Sequence, residues 1–349
     1  MMIKQRAIAF LYNSMDASSL ALFRIGFGII HLIWTWKYFS SNLFYFQYVY
    51  PSILLPYPCM EWLPRLPGYG MYLPYLVVFI CSLGITLGLF FRLSAIGFFI
   101  SYLYIFSLDF TGYNNHFYLV VLLAFWLIFM NAHTTMSMDR YLGRIENFNH
   151  IPFWNIWIIR FQLIIVYFFG GFAKAMNIDW WLHASQLNNM LSSFYGNSIL
   201  YFLSHTYTAY FLAWSSMIFD LGIGGLLFFK KTRGIGVCLI IGFHAFNYFI
   251  LFSPYTGKTS IGIFPFLGIL TGLMFLEPNF PRQWFTKLST WVESSLETDT
   301  VSQSRVQTIF SIVVCIVIGS LLVILPIAAW LTHTALPFTW INATLIPKN

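Results

Sequence analysis

Long apolar runs alternate with short polar stretches along almost the whole chain. Windows long enough to cross a hydrocarbon layer of about 30 Å fall near residues 19–38, 71–91, 93–109, 116–131, 155–176, 208–229, 234–252, 260–277 and 307–331. The strict two-residue alternation of a barrel strand is missing, and only a helix satisfies its own backbone groups in lipid, so each window predicts a helix. No heptad or longer internal repeat is present. The expected fold is an all-α membrane protein, one polytopic domain over residues 1–349 with about nine transmembrane helices. The third and fourth windows are short and are expected to tilt or to stop partway. One polar stretch, residues 278–305, reads as a cytoplasmic connector before the last span, with a short interfacial helix around Trp284–Trp291.

Composition agrees with this pattern. Of the 349 residues, 59% are hydrophobic, 21% aromatic and 8% charged, whereas soluble domains carry about 25% charged residues. The first 18 residues lack the apolar core and small-residue cleavage site of a signal peptide, so the first span is expected to anchor the chain. Cys59, Cys81, Cys238 and Cys315 are scattered without CxxC spacing, and neither a metal site nor a disulfide framework is expected.

The formal charge of +7 reads as a record of topology, because the basic residues form no arm or patch for nucleic acid. With the N-terminus inside, eleven of the 18 Lys and Arg residues fall in inner segments and four in outer segments. Arg24, Arg160 and Lys174 remain within spans. The expected orientation is N-terminus in and C-terminus out, in a bacterial cytoplasmic membrane.

Polar groups inside membrane helices cost roughly 2.5–3.5 kcal/mol each on insertion scales and usually face a bundle interior or a cavity. Lys174 sits near the end of "VYFFGGFAKAMNIDWW", residues 166–181. Arg160, Tyr167 and Lys174 recur every seven residues and so share one helix stripe. Gly170 and Gly171, one turn before the lysine, leave room for a ligand or another helix. Lys174 reads either as a site residue or as a lysine snorkelling to the headgroups with Asp179 as counter-ion. Asn114, Asn115 and His116 open the fourth span, either as a helix cap with a satisfied histidine or as part of a site. His244 and Asn247 share a face of the seventh span, either as a hydrogen-bonded helix contact or as site residues. Arg24 reads as structural, meeting a carboxylate, a helix C-terminus or the headgroups. Asp220, a lone acid in the sixth span, is a buried partner for some cation. The other histidines, His31 among them, receive no role. In the predicted topology Lys174, His116 and His244 all fall in the outer half of the bundle, which points to a shared cavity opening outward.

These segments resemble the vitamin K-dependent gamma-glutamyl carboxylase family, whose membrane portion is also called the horizontally transferred transmembrane (HTTM) domain. The likeness runs from "DASSLALFRIGFG" at 16–28 through "YNNHFYLVVLLAFWLIFMNAH" at 113–133, "VYFFGGFAKAMNIDWW" and "FDLGIGGLLFF" at 219–229 to "FHAFN" at 243–247, covering roughly residues 16–285. The resemblance implies that Lys174 is the base that deprotonates vitamin K hydroquinone or a menaquinol-type quinol. The anion then reacts with O2, the strong base so formed takes the gamma proton of a peptidyl glutamate, and CO2 traps the carbanion. His116 matches the residue linked to the carboxylation step, and His244 a further family histidine. Asn115, Tyr167, Gly170, Gly171 and Asn247 would line the cofactor's site. An apolar pocket walled by Phe168, Phe169 and Phe172 would favour the neutral amine that a base requires, and Asp179 would oppose this. The implied partners are a membrane lipid or quinol, and a peptide substrate or a separate substrate-binding protein. The carboxylases that act on clotting-type proteins extend beyond the last span into a large lumenal domain, and this sequence ends there, so the likeness supports the quinol half of the chemistry better than the peptide half. A non-catalytic membrane carrier, or a subunit of a membrane complex, is the competing expectation.

Overall fold

The computed structural model describes residues 9–146, 148–195, 201–251 and 262–285. These form a mostly helical bundle with little strand. Its main elements are β1 (Ser14–Asp16), α1 (Ser18–Ser40), α2 (Tyr72–Leu87), α3 (Phe91–Ser107), α4 (Asn115–Phe129), β2 (His150–Pro152), α5 (Trp154–Met176), α6 (Ser185–Tyr195), α7 (Thr206–Phe228), α8 (Arg233–Phe246), α9 (Phe264–Leu273) and α10 (Phe280–Phe285). Each of the first eight apolar windows contains one helix, and the window at 307–331 lies outside the described residues. So does most of the connector, of which α10 is the described part.

Among the described residues, four helical stretches are long and apolar enough to cross a membrane: Ser18–Ser40, Gly68–Leu87, Trp154–Met176 and Thr206–Phe228. The helices at Phe91–Ser107 and Asn115–Phe129 are shorter, as their short windows predict. The outside of the bundle is apolar. Ile33, Trp36, Ile80, Ile100, Phe211 and Ile218 are each more than half exposed, a surface that suits lipid and would drive association in water.

Two packing units share α5. Helices α1 to α4 and the first half of α5 enclose the larger core, built around Phe23, Phe27, Phe91, Phe98, Trp126 and Ile159. The second half of α5 packs with α7, α8 and the end of α9 through Leu163, Tyr167, Ile223, Leu227, Val237 and Ile240. Helix α9 touches both α1 and α5 and so bridges the two units.

Helix ends are tied by side chains as well as by packing. The α2–α3 turn closes on Gly88, whose φ of 63° is left-handed and suits a residue without Cβ. The Asp139 carboxylate accepts from the backbone N–H of Phe90 and of Phe91, both at 2.9 Å, and caps α3. Arg24 is fully buried. Its guanidinium donates to the carbonyls of Ala132 (2.9 Å), Ile85 (2.6 Å), Thr86 (2.7 Å) and Met136. It thus satisfies the C-terminus of α2, one of the structural roles expected of it. The strands β1 and β2, three residues each, pair antiparallel with Ser14 opposite Pro152 and pin the start of α1 beside the start of α5. Neither strand was foreseen, because three residues are too few to show a period.

Candidate functional site

The site begins where α5 and α7 come together. A Cβ on Gly171 would lie 2.8 Å from the backbone N of Leu221 and 2.9 Å from the Asp220 Cβ, so only glycine admits α7 this close. At Gly170 the nearest atom to such a Cβ would be Asp220 Oδ2, at 3.3 Å. The close approach puts Asp220 beside the next turn of α5, where its Oδ2 accepts from Lys174 Nζ at 2.7 Å. The pair is mostly buried, the side chains being 20% and 8% exposed. Lys174 Nζ also lies 5.1 Å from the ring centroid of Trp180, within cation–π range.

Asp179 is not the counter-ion. It is exposed, in the single helical turn Ile178–Trp181 that follows α5, where its backbone N–H donates to the Asn177 side chain. Nearness in sequence favours Asp179, but the helix ends before it and turns it away from the stripe. The phenylalanine wall is partial as well: Phe168 is about half exposed, at 49%, and stacks on Phe172 at 6.3 Å.

One turn before Gly171, Tyr167 is buried and hydrogen-bonded through its hydroxyl to His244 Nε2, 2.7 Å away. His244 is fully enclosed. A Cβ on Gly268 would fall 2.2 Å from His244 Nε2, so the α9 backbone lies directly against the imidazole. His244 Nδ1 is buried and has no hydrogen-bond partner among the described residues. Phe219, the neighbour of Asp220, meets the Tyr167 ring edge-on at 5.6 Å and stacks on Phe243 at 4.3 Å.

His116 joins from the other unit. Asn114 caps α4 by accepting from the His116 backbone N–H, so the cap reading holds for Asn114. Asn115 Oδ1 accepts from the Tyr113 hydroxyl at 2.9 Å. The His116 ring stacks on Phe264 at 4.7 Å, and His244 meets the same Phe264 ring edge-on at 5.0 Å. The first residue of α9 thus stands between the two imidazoles. Asn247 is buried where α8 passes into the π-helical turn Asn247–Leu251.

A continuous ladder of contacts therefore runs from Lys174 and Asp220, past Phe219, through Tyr167 and His244 to Phe264 and His116. Its members sit on five helices, α4, α5, α7, α8 and α9. Gly170 and Gly171 serve the helix contact in this arrangement. Arg160, the third member of the predicted stripe, belongs elsewhere: Nε donates to the Met274 carbonyl at 2.6 Å and Nη2 to that of Leu276 at 3.2 Å, closing the end of α9. Phe264 was missed in the sequence, where nothing distinguishes it from many other apolar phenylalanines. Asp220 was visible as a lone buried acid, although its partner was not. Among the described residues no cluster of His, Cys, Asp and Glu forms a metal-binding group.

No solved structure matches the chain. The HTTM domain matches it over residues 12–280, a span that holds the whole ladder. This chain belongs to the HTTM family and is a membrane protein related to the gamma-carboxylases.

Proposed function

We propose that the protein is a membrane enzyme of the gamma-carboxylase type, acting on a membrane quinol of the vitamin K or menaquinol class with O2. It would carboxylate a glutamyl-type substrate with CO2. The observation that carries this reading is the ladder itself: a buried amine–carboxylate pair and two imidazoles, joined through Tyr167 and Phe264. The site fits a hydroxyl-bearing quinol, because the orphaned His244 Nδ1 and the Asp220–Lys174 pair each offer a partner to a hydroxyl. The quinol, once bound, supplies the reducing equivalents and the oxygen chemistry.

The chain's own residues handle protons and orientation. In the closed pair the free basic atom belongs to Asp220, and Lys174 fixes it in place. When Nζ passes its proton to Asp220 Oδ2 and the pair opens, the amine becomes the base that the family resemblance assigns to Lys174. Tyr167 holds the His244 ring, with Gly268 and Phe264 packed around it. His116, on the far side of Phe264, would act on a second reactant. The matching topology is nine spans, with the N-terminus inside and the site facing outward from a bacterial cytoplasmic membrane. Asn115 and Asn247 lie beside the two histidines and would orient the bound groups.

A second reading has one observation in its favour. The Lys174–Asp220 pair is closed at 2.7 Å, as a fixed charge pair in a carrier or in a subunit of a membrane complex would be. The test is to incubate the purified protein with reduced menaquinone or vitamin K, O2 and labelled bicarbonate, with a glutamyl peptide present. Quinone epoxide together with fixed label supports carboxylation. Epoxide without fixed label restricts the activity to the quinol, and points to a separate substrate-binding partner. Neither product supports the carrier.

A further inference from the structure

Away from the ladder, α1, α2, α3, the start of α4 and the turn Tyr45–Val49 line a half-open cavity of about 50 Å3. His31, Trp34, Tyr38, Tyr48, Tyr75 and Tyr102 are among the residues that line it. His31 is 1% exposed and carries an unanswered polar atom. Its Nδ1 lies 2.7 Å from the Phe27 carbonyl on the preceding turn of the same helix. A carbonyl only accepts, so Nδ1 bears the proton and donates. In a neutral imidazole the other nitrogen is then an acceptor. That nitrogen, Nε2, sits at the far edge of the ring from the α1 backbone, is buried, and has no partner among the described residues. A buried acceptor without a donor is costly, about 1–3 kcal/mol, and among the described residues none donates to it.

We infer that this cavity binds the hydroxyl head of a membrane-soluble alcohol or phenol, which donates to His31 Nε2. The chemistry of the lining fixes the class. A ligand must donate, since the vacant atom only accepts. It must be neutral, since among the residues lining the cavity none is charged. Its body must be apolar, since behind the imidazole stand indole and phenol rings. Size limits how it enters. A cavity that admits benzene measures about 150 Å3, so 50 Å3 holds the hydroxyl and the first carbons, with the rest leaving past the half-buried Trp34 and Tyr38. The phenol groups of the wall can donate to the oxygen of the same hydroxyl, and the Gln47 side chain, 3.5 Å from the Tyr48 hydroxyl, adds a further donor. This site stands apart from Lys174 and Asp220 and does not rest on the reading given to them.

The test uses the whole protein in lipid nanodiscs with 15N-labelled histidine, and the His31 signals assigned by their loss in His31→Gln. Four probes are titrated: 1-octanol, 4-propylphenol and the methyl ether of each. The ethers keep the apolar body and the oxygen but cannot donate. The expected result is a saturable shift of the His31 Nε2 resonance with at least one hydroxyl probe, and half-saturation about tenfold tighter than for its ether, the value of roughly one hydrogen bond. Tighter binding of octanol identifies a lipid alcohol, and tighter binding of propylphenol identifies a ring phenol. In His31→Phe, where binding is followed by equilibrium dialysis of labelled probes, each probe and its ether should come level. Equal binding of hydroxyl and ether overturns the inference, and so does a resonance that no probe moves because water alone occupies the cavity. The comparison on the unsubstituted protein decides even if His31→Phe does not fold.

Discussion

At one end of α5 the Arg160 guanidinium donates to the backbone carbonyls of Met274 and Leu276. About 21 Å further along the same stripe, the Lys174 ammonium meets a carboxylate side chain on another helix. Both cations are largely buried, and both were singled out by the same seven-residue spacing. Their acceptors differ in kind. A carbonyl at a helix end neither titrates nor leaves, so the guanidinium that satisfies it is a fixed clamp. Arg24 and Arg92 repeat that solution. Arg92 donates to the Ile128 carbonyl and, at 2.9 Å, to the Asn131 side chain. A carboxylate accepts a proton as readily as a hydrogen bond, so the Lys174–Asp220 pair can change state without unfolding anything. The lesson is that depth in the membrane does not separate structural charge from chemical charge. The acceptor does.

The largest effect that would sharpen this contrast is expected at Arg24. Replacing it with methionine keeps the apolar stem and leaves the carbonyls of Ile85, Thr86, Ala132 and Met136 without their donor. The expected loss is about 3–5 kcal/mol, seen as a protein that fails to accumulate or melts far below the parent in detergent.

At the lysine end, Asp220→Ala strands a buried ammonium and should cost about 3 kcal/mol. The double substitution Lys174→Met, Asp220→Ala should recover much of that loss. A double variant no more stable than the single one would show that the two side chains are not coupled.

A pH effect of similar size belongs to the clamped region. His133 follows α4 in the loop beside Arg92 and stacks on Phe91 at 4.9 Å. Burial, reinforced by the nearby Arg92, lowers its pKa from 6.5 to about 4. The unfolded chain therefore binds the proton first as pH falls. Stability from this group is complete above about pH 6.5 and is lost as pH drops towards 4, by about 3 kcal/mol. His133→Phe should flatten that part of a melting-temperature profile, and an unchanged slope would remove His133 from the account.

A smaller effect is expected at the helix contact. Gly171→Val forces Cβ onto the α7 backbone, at an expected cost of about 1–3 kcal/mol. Gly225→Ala on α7 is the control, since nothing lies within 4 Å of its added Cβ. The smallest is Tyr167→Phe, which removes the hydroxyl bonded to His244 at a cost of about 1 kcal/mol. Its useful readout is the His244 15N resonance, which should shift while the fold stays intact.

The apolar windows were legible because a membrane helix has no other way to satisfy its backbone, and hydropathy alone marks such segments. The cap at Asn114 and the structural role of Arg24 were legible for a similar local reason. Partners across helices were not. Which acid meets Lys174 depends on how closely α5 and α7 approach, and that distance is set by Gly170 and Gly171 rather than by any property of the acids. Asp179 is nearer in sequence, yet it falls past the helix end. The insertion of Phe264 between His116 and His244 depends on where α9 starts, which no periodic pattern in the sequence marks. His31 received no role from the sequence. Its distinction lies in one unpartnered nitrogen, which no pattern of residue types reveals.

The most direct measurement of the central claim is quinone epoxide formation by Lys174→Arg, compared with the parent and with Lys174→Ala in the same lipid. Arginine keeps a cation opposite Asp220 but stays protonated. The account predicts a folded arginine variant with turnover reduced to the level of the alanine variant, because the pair must be able to release and take up a proton. Parental turnover in the arginine variant would contradict it, and would leave Lys174 as a fixed charge of the same kind as Arg160.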